Sequence, residues 1–275
     1  MAIARALVAL SAIGLLVAGA ASADDGAGDV DVGSSAIVSP TSNALVAIRR
    51  SEPRSEVALL VGGAVVDESR VSGLARAVLE LQGSWAPSPR WELFATVNPA
   101  TYRWVQLASP AGARTNSRLA FGSTTLGATW VPVSLPEGRL DGGVFVRALL
   151  PTSVEVQGTH AWGAQAGLTF RGVATRWLAW FGGASLRVTR AYGGLTATRT
   201  GASAAAGLAF IPTPWLRVVA QVSGNLPFEG GYETLSPGVG VRFVQGPFGA
   251  ELGAVLPLGG PLRPFSTVAR VSYRL

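Results

Sequence analysis

The sequence predicts an all-β chain, an antiparallel transmembrane β-barrel of about twelve strands with short periplasmic turns and longer extracellular loops. Three observations predict it. Segments of about ten residues alternate apolar with polar or small residues, the period-two pattern that gives a strand two unlike faces. Bulky aromatics gather at a recurring set of short turns, as in Trp85-Ala86-Pro87-Ser88-Pro89-Arg90-Trp91 and Phe210-Ile211-Pro212-Thr213-Pro214-Trp215. Charged residues are only 14% of the chain, against roughly 25% in an ordinary soluble domain, yet no segment after the N-terminus is apolar for the ~18 residues a spanning helix needs.

Residues 1–23 read as a secretory signal peptide: Arg5 supplies the charged start, Ala6 to Leu16 the apolar stretch, and Ala21-Ser22-Ala23 the small-residue cleavage site. Residues 24–55 form a leader, carrying Asp24, Asp25, Asp29 and Asp31 and then Arg49, Arg50 and Arg54. It is expected to be a periplasmic tail or a small plug, with a further strand around 43–48 as the third alternative. Residues 56–275 make the barrel.

The first strand is expected over 56–66, with Val57, Leu59 and Val61 alternating. The second, 72–86, sets Ala75, Ala77, Leu79, Leu81, Gly83 and Trp85 against Arg76, Glu80, Gln82 and Ser84, with Val78 out of phase. The third, 91–98, sets Trp91, Leu93, Ala95 and Val97 against Glu92, Thr96 and Asn98, with Phe94 out of phase. Proline cannot donate to a sheet ladder, so Pro99 is expected to open a long loop reaching Asn116. The fourth strand, 118–131, changes phase near Gly122. The fifth, 139–150, sets Val144, Val146 and Ala148 against Asp141, Phe145 and Arg147; the sixth sets Trp162, Ala164, Ala166, Leu168 and Phe170 against Gly163, Gln165 and Thr169. A turn at 172–175 leads to a Trp-rich seventh strand, 176–188, of ambiguous facing, then an eighth of mostly Ala and Gly. The ninth, 215–225, sets Leu216, Val218, Ala220 and Val222 against Arg217, Gln221, Ser223 and Asn225. The tenth and eleventh, 238–244 and 248–256, flank Gln245-Gly246-Pro247, and the twelfth begins at Ser266. An even count returns the chain to the side where it started, and the connections sort into short and long sets as in outer-membrane barrels.

One end carries Trp85, Trp91, Trp130, Phe170, Trp177, Phe210, Trp215, Phe243, Phe248 and Tyr273. Such rings settle at the headgroup level, so they are expected to form a membrane-interface belt. The polar faces give the expected lumen lining: Arg76, Glu80, Gln82, Glu92, Asp141, Arg147, Gln165, Arg217, Gln221, Asn225, Arg242, Glu251, Arg270 and Arg274. Arginine outnumbers carboxylate there. That predicts either a pore biased toward anions or a network of ion pairs that packs the barrel shut. The inward glycines, among them Gly143, Gly163, Gly167, Gly240 and Gly253, argue for some open volume.

Enzyme chemistry is not expected. The chain has no cysteine and one histidine, His160, and Trp162 stands two residues beyond it, where a barrel hydrolase of the phospholipase type would carry its serine. The acidic leader lacks calcium-loop spacing, so no metal and no cofactor is expected. The arginines are scattered singly along strands, which speaks against nucleic acid as a partner. The expected partners are outer-membrane lipid, a small-molecule solute, and the barrel-assembly machinery. The last is expected because Val271-x-Tyr273-x-Leu275 resembles the terminal signal of outer-membrane barrels, with Leu275 where Phe is usual.

Leu126-Gly127-Ala128-Thr129-Trp130, followed by Val144 to Leu150 and Leu150-Pro151-Thr152, resembles the meta-pathway phenol-degradation barrels, which are similar to the long-chain fatty-acid transporter group. Gly122-Ser123 stands where that family has Gly-Asp, and Ser153 where it has Gly. The likeness covers about 118–170. It implies a channel in the outer membrane of a Gram-negative bacterium that takes up small hydrophobic or aromatic compounds. The expectation is therefore a passive channel for small solutes. The alternative is a structural or adhesive barrel with a closed lumen, whose extracellular loops, such as 99–117, bind partners.

Overall fold

The computed structural model describes residues 53–68, 71–107, 114–122, 124–135, 140–152, 160–192, 197–229, 234–256, 258 and 265–275. The expected signal peptide, and the leader up to residue 52, lie outside them. The described residues form strands and turns only, in one antiparallel sheet: β1 (Glu56–Glu68), β2 (Val71–Ser88), β3 (Trp91–Leu107), β4 (Arg114–Ala120), β5 (Thr124–Ser134), β6 (Asp141–Leu150), β7 (His160–Thr175), β8 (Leu178–Tyr192), β9 (Ala197–Thr213), β10 (Leu216–Pro227), β11 (Thr234–Gln245), β12 (Phe248–Val255) and β13 (Phe265–Arg274). Strands adjacent in sequence pair with each other, except that β4 and β5 both pair with β3, and β1 pairs with β13 from Glu56↔Arg274 to Val65↔Phe265, which closes the sheet.

Thirteen segments make twelve barrel strands, because β4 and β5 are two halves of the fourth. Both pair with β3: β4 against Thr101–Leu107, β5 against Trp91–Val97. The break falls between Ala120, the end of β4, and Thr124, the start of β5. There the phase changes, since Leu119 faces outward below the break in numbering and Leu126 above it. The expected phase change near Gly122 is this break.

Pro99 does not open a loop. β3 runs on to Leu107, and the ladder to β2 steps from Leu81↔Val97 to Leu79↔Ala100. Asn98 and Pro99 therefore sit in a bulge, where a residue without an N–H is tolerated. The Asn98 carbonyl accepts from Gly122 N at 2.8 Å, holding the bulge against the break in the facing strand. The expected loop 99–117 is accordingly mostly sheet, and its remaining tip, 108–113, lies outside the described residues. The turns are also tighter than expected. Pro89-Arg90, Arg176-Trp177, Pro214-Trp215 and Gly246-Pro247 are two-residue connections, so Gly172 and Val173 belong to β7 and Pro212 to β9. Gly246 has φ +58°, a conformation that favours glycine.

The two faces are inverted relative to a soluble protein. Val57, Leu59, Leu81, Leu93, Leu126, Val146, Leu168, Leu186, Val239, Leu252 and Val271 are exposed outside, while Glu56, Glu92, Asp141, Arg147, Arg217 and Arg242 are buried inside. An apolar surface on every strand far exceeds the few hundred Å² a soluble monomer leaves bare, and lipid is the solvent that accepts it. The aromatics gather at the short-turn end in cross-strand pairs: Trp91 stacks on Trp130 with centroids 6.0 Å apart, Trp177 meets Phe210 at 6.1 Å, Trp215 stacks on Phe243 at 6.2 Å, and Phe248 meets Tyr273 at 5.0 Å. Trp85 is the most exposed tryptophan of this level at 59%. Phe170 is half-buried, because it packs on Trp180 at 5.6 Å and covers Gly182.

Candidate functional site: the barrel interior

Alternation places one residue in two of every strand inside. Near the seam, Glu56 is bridged to Arg270 and lies 3.6 Å from Arg54, with both Glu56 and Arg54 buried. Residues 53–55 are tied to the rim: Arg54 O accepts from Ser84 Oγ at 2.7 Å, Ser55 Oγ from Ala86 N at 3.0 Å, and Ser55 O from Leu275 N at 3.0 Å. Glu80 accepts from Gln82 Nε2 at 2.5 Å and lies within electrostatic reach of Arg147 and Arg270. Buried Glu251 is placed in register with both Arg242 and Arg270. Arg242 in turn is the register partner of Arg217.

A second network crosses the opposite wall. Arg147 Nε donates to Gln165 Oε1 at 2.6 Å, Gln165 Nε2 donates to Ser185 Oγ at 2.5 Å, and Ser185 and Ser203 share a hydrogen bond of 2.8 Å. This chain runs around the barrel through β6, β7, β8 and β9. Closer to the turns, Asp141 accepts from Ser134 Oγ and from Arg171 Nε, both at 2.6 Å. Glu92 is fully buried, Gln221 is buried beside Gly238, and Asn225 is half-buried. Arg274 continues the interior face of β13 but is exposed at the rim. Arg76 stands in β2 opposite Ala64 and Arg103, and its side chain lies outside the described residues.

Three further interior groups were not in the expected lining. Arg171 extends the alternation Gly163, Gln165, Gly167, Thr169 by one step, and ending the strand at Phe170 hid it. Arg187 lies in β8, whose tryptophans blurred the facing; in the structure Ala179, Phe181, Gly183 and Ser185 point in. Arg54 precedes the first strand. Counted over the described interior, the arginines Arg54, Arg147, Arg171, Arg187, Arg217, Arg242 and Arg270 exceed the carboxylates Glu56, Glu80, Glu92, Asp141 and Glu251 by two.

The inward glycines do not simply open volume. Phe94, Phe145 and Phe181, each at most 6% exposed, lie over the glycines directly opposite them, Gly127, Gly167 and Gly207. A Cβ at Gly167 would stand 2.8 Å from Phe145. The out-of-phase Phe94 is thus an interior residue, and so is Val78, 4% exposed.

No family model matches the chain, and no curated protein matches it. Solved structures do. A channel described as the COG4313 outer membrane channel from Pseudomonas putida F1 superposes with a TM-score of 0.62 at 13% identity, over 87% of this chain and 100% of that one. The fold is that of a bacterial outer-membrane β-barrel. Two autotransporter domains share this barrel: the translocator domain of NalP from Neisseria meningitidis, TM-score 0.52 at 13% identity over 81% of this chain and 88% of that one, and the β-domain of Bordetella BrkA, TM-score 0.51 at 14% identity over 81% and 100%. At such identities the outer-membrane barrel is what is shared, and its interior is this chain's own.

Proposed function

We propose that this outer-membrane barrel is a passive channel for small solutes whose inner wall favours anions. The observation that carries the proposal is the interior itself: it is charged, and among the described residues it holds two more arginines than carboxylates. Rings of arginine lower the barrier for anions and raise it for cations. Twelve strands enclose more than the eight-strand barrel that side chains fill, and less than a sixteen-strand porin, which limits passage to small solutes. The similar Pseudomonas structure is itself described as a channel; Phe94, Phe145 and Phe181, packed over their glycines and at most 6% exposed, do not themselves supply an apolar route. No enzymatic role is proposed. Export by the 1–23 signal, assembly through Val271-x-Tyr273-x-Leu275 and a leader or plug at 24–55 belong to the same proposal.

A specific observation favours the second reading, a closed structural or adhesive barrel. Phe145, Glu92, Thr125, Thr129 and Ser266 are each below 2% exposed, as in a filled core. Liposome swelling separates the two. The channel admits small anionic solutes faster than cationic ones of equal size, and Arg147→Ala reduces that difference. A correctly folded barrel that admits no solute is the closed one.

A further inference from the structure

We propose that Arg187 is the point on the inner wall where the channel holds a small oxyanion, a carboxylate or a phosphate group, with exposed Arg199 above it as the guide from the extracellular mouth. The inference deepens the channel reading and rests on it for the anion's onward passage alone. Arg187 lies on the interior face of β8, in register with Gln165 of β7 and Gly201 of β9. Gln165 is also the register partner of Arg147, so one amide stands between two guanidinium groups. It serves only one of them. Its Oε1 accepts from Arg147 Nε at 2.6 Å, and its Nε2 donates to Ser185 Oγ, which shares a further hydrogen bond with Ser203. Arg187 leans toward β9 instead, with its Nε 3.5 Å from where a Cβ on Gly201 would stand. Among the described residues no carboxylate acts on Arg187, and its enclosed Nη1 has no hydrogen-bond partner. The other interior arginines are engaged: Arg54 and Arg270 meet Glu56, Arg171 meets Asp141, Arg147 meets Gln165, and Arg217 and Arg242 have partners as well.

A desolvated cation without an acceptor is costly, and buried donors are ordinarily met. Arg187 is only half-buried, however. Because it faces inward, the surface it keeps is lumen surface, and a solute in the lumen reaches it. Guanidinium forks match the two oxygens of a carboxylate or phosphate face, which a halide lacks. Arg199 continues the interior alternation of Ser203 and Gly201 by one step toward the extracellular end of β9, and it is exposed. Its register partner on β8 is Thr189, the next interior residue after Arg187. The two cations therefore lie on one diagonal of adjacent strands. The outer one stands in solvent; the inner one stands beside the amide of Gln165 and the hydroxyls of Ser185 and Ser203.

The test uses the full chain refolded in detergent, with folding verified by heat-modifiable gel mobility. The unfolding midpoint is titrated with inorganic phosphate and with acetate against chloride at constant ionic strength. Both oxyanions are expected to raise the midpoint saturably beyond chloride. In Arg187→Gln the apparent affinity for phosphate falls about tenfold, the size of one lost hydrogen bond to a charged group. Its midpoint in chloride alone is no lower than the wild type's, because an unpaired interior cation adds no stability. Arg187→Lys keeps the charge and loses the fork, so it lowers the preference for phosphate over chloride. Arg199→Gln weakens phosphate by less than Arg187→Gln, and Arg90→Gln, in a periplasmic turn, titrates like the wild type. A wild-type response equal for phosphate and chloride overturns the site, as does a wild-type titration from Arg187→Gln. A midpoint in chloride that drops in Arg187→Gln also overturns it, since the chain itself would then be holding that cation. Binding is read without any current. A barrel that binds phosphate at Arg187 and conducts nothing keeps the site and loses the channel; one that conducts with an anion preference unchanged in Arg187→Gln keeps the channel and loses the site.

Discussion

Arg270→Ala is expected to cost the folded barrel about 3–5 kcal/mol, the range for removing one partner of a buried ion pair. Arg270 is on β13 and its partner Glu56 on β1, so the pair ties the first strand to the last. The side chains are 10% and 3% exposed. Removing the guanidinium leaves Glu56 buried with only Arg54 beside it among the pairs described at this seam, and it also strips a cation from Glu80 and Glu251. Urea unfolding of the refolded barrel in lipid vesicles measures the loss. The double variant Glu56→Ala with Arg270→Ala should lose less than the sum of the single ones, because the two residues are in contact. A loss under about 1 kcal/mol for Arg270→Ala would place the seam's stability in the backbone ladder instead.

Gly127→Ala is expected to destabilise by about 1–3 kcal/mol, the cost of overpacking a filled site. The added methyl group would overlap the Phe94 ring and stand 2.5 Å from the Val146 carbonyl and 2.7 Å from Arg147 Cβ. The ring can turn away; the carbonyl belongs to the β5–β6 ladder and cannot move without loosening it. Phe94→Ala should therefore rescue only part of the loss. Gly83→Ala is the control, since nothing lies within 4 Å of its added Cβ, and it is expected to unfold at the wild-type urea concentration. Equal stability of Gly127→Ala and Gly83→Ala would contradict the packed contact.

The barrel was legible in the sequence because its two faces meet two solvents. Trp85, Leu81 and Leu79 on one side of β2, and Glu80, Gln82 and Ser84 on the other, carry the same message at every step, and the aromatic turns repeat it at the ends. What period two cannot report is where the ladder slips. Pro99 reads as a strand end because it lacks an N–H, but the bulge opposite Glu80 removes the need for one. Phe94 reads as a misfit because apolar residues are assigned outward in a membrane strand, and its true partner, Gly127, is 33 residues away. Glycine in a strand suits close approach as well as emptiness, so Gly167 could be read as open volume until Phe145 was found on it. The charge surplus was visible in outline. Its arrangement was not, because the Arg217–Arg242 and Glu56–Arg270 pairings depend on register and on closure between distant strands.

The most direct test of the account is the reversal potential of the purified barrel in a planar bilayer under a salt gradient. The account predicts steady single-channel currents whose reversal potential has the sign of anion preference, moving toward zero in Arg147→Ala or Arg217→Ala. A barrel that inserts, shifts its gel mobility on heating and passes no current, or one that prefers cations, would contradict it.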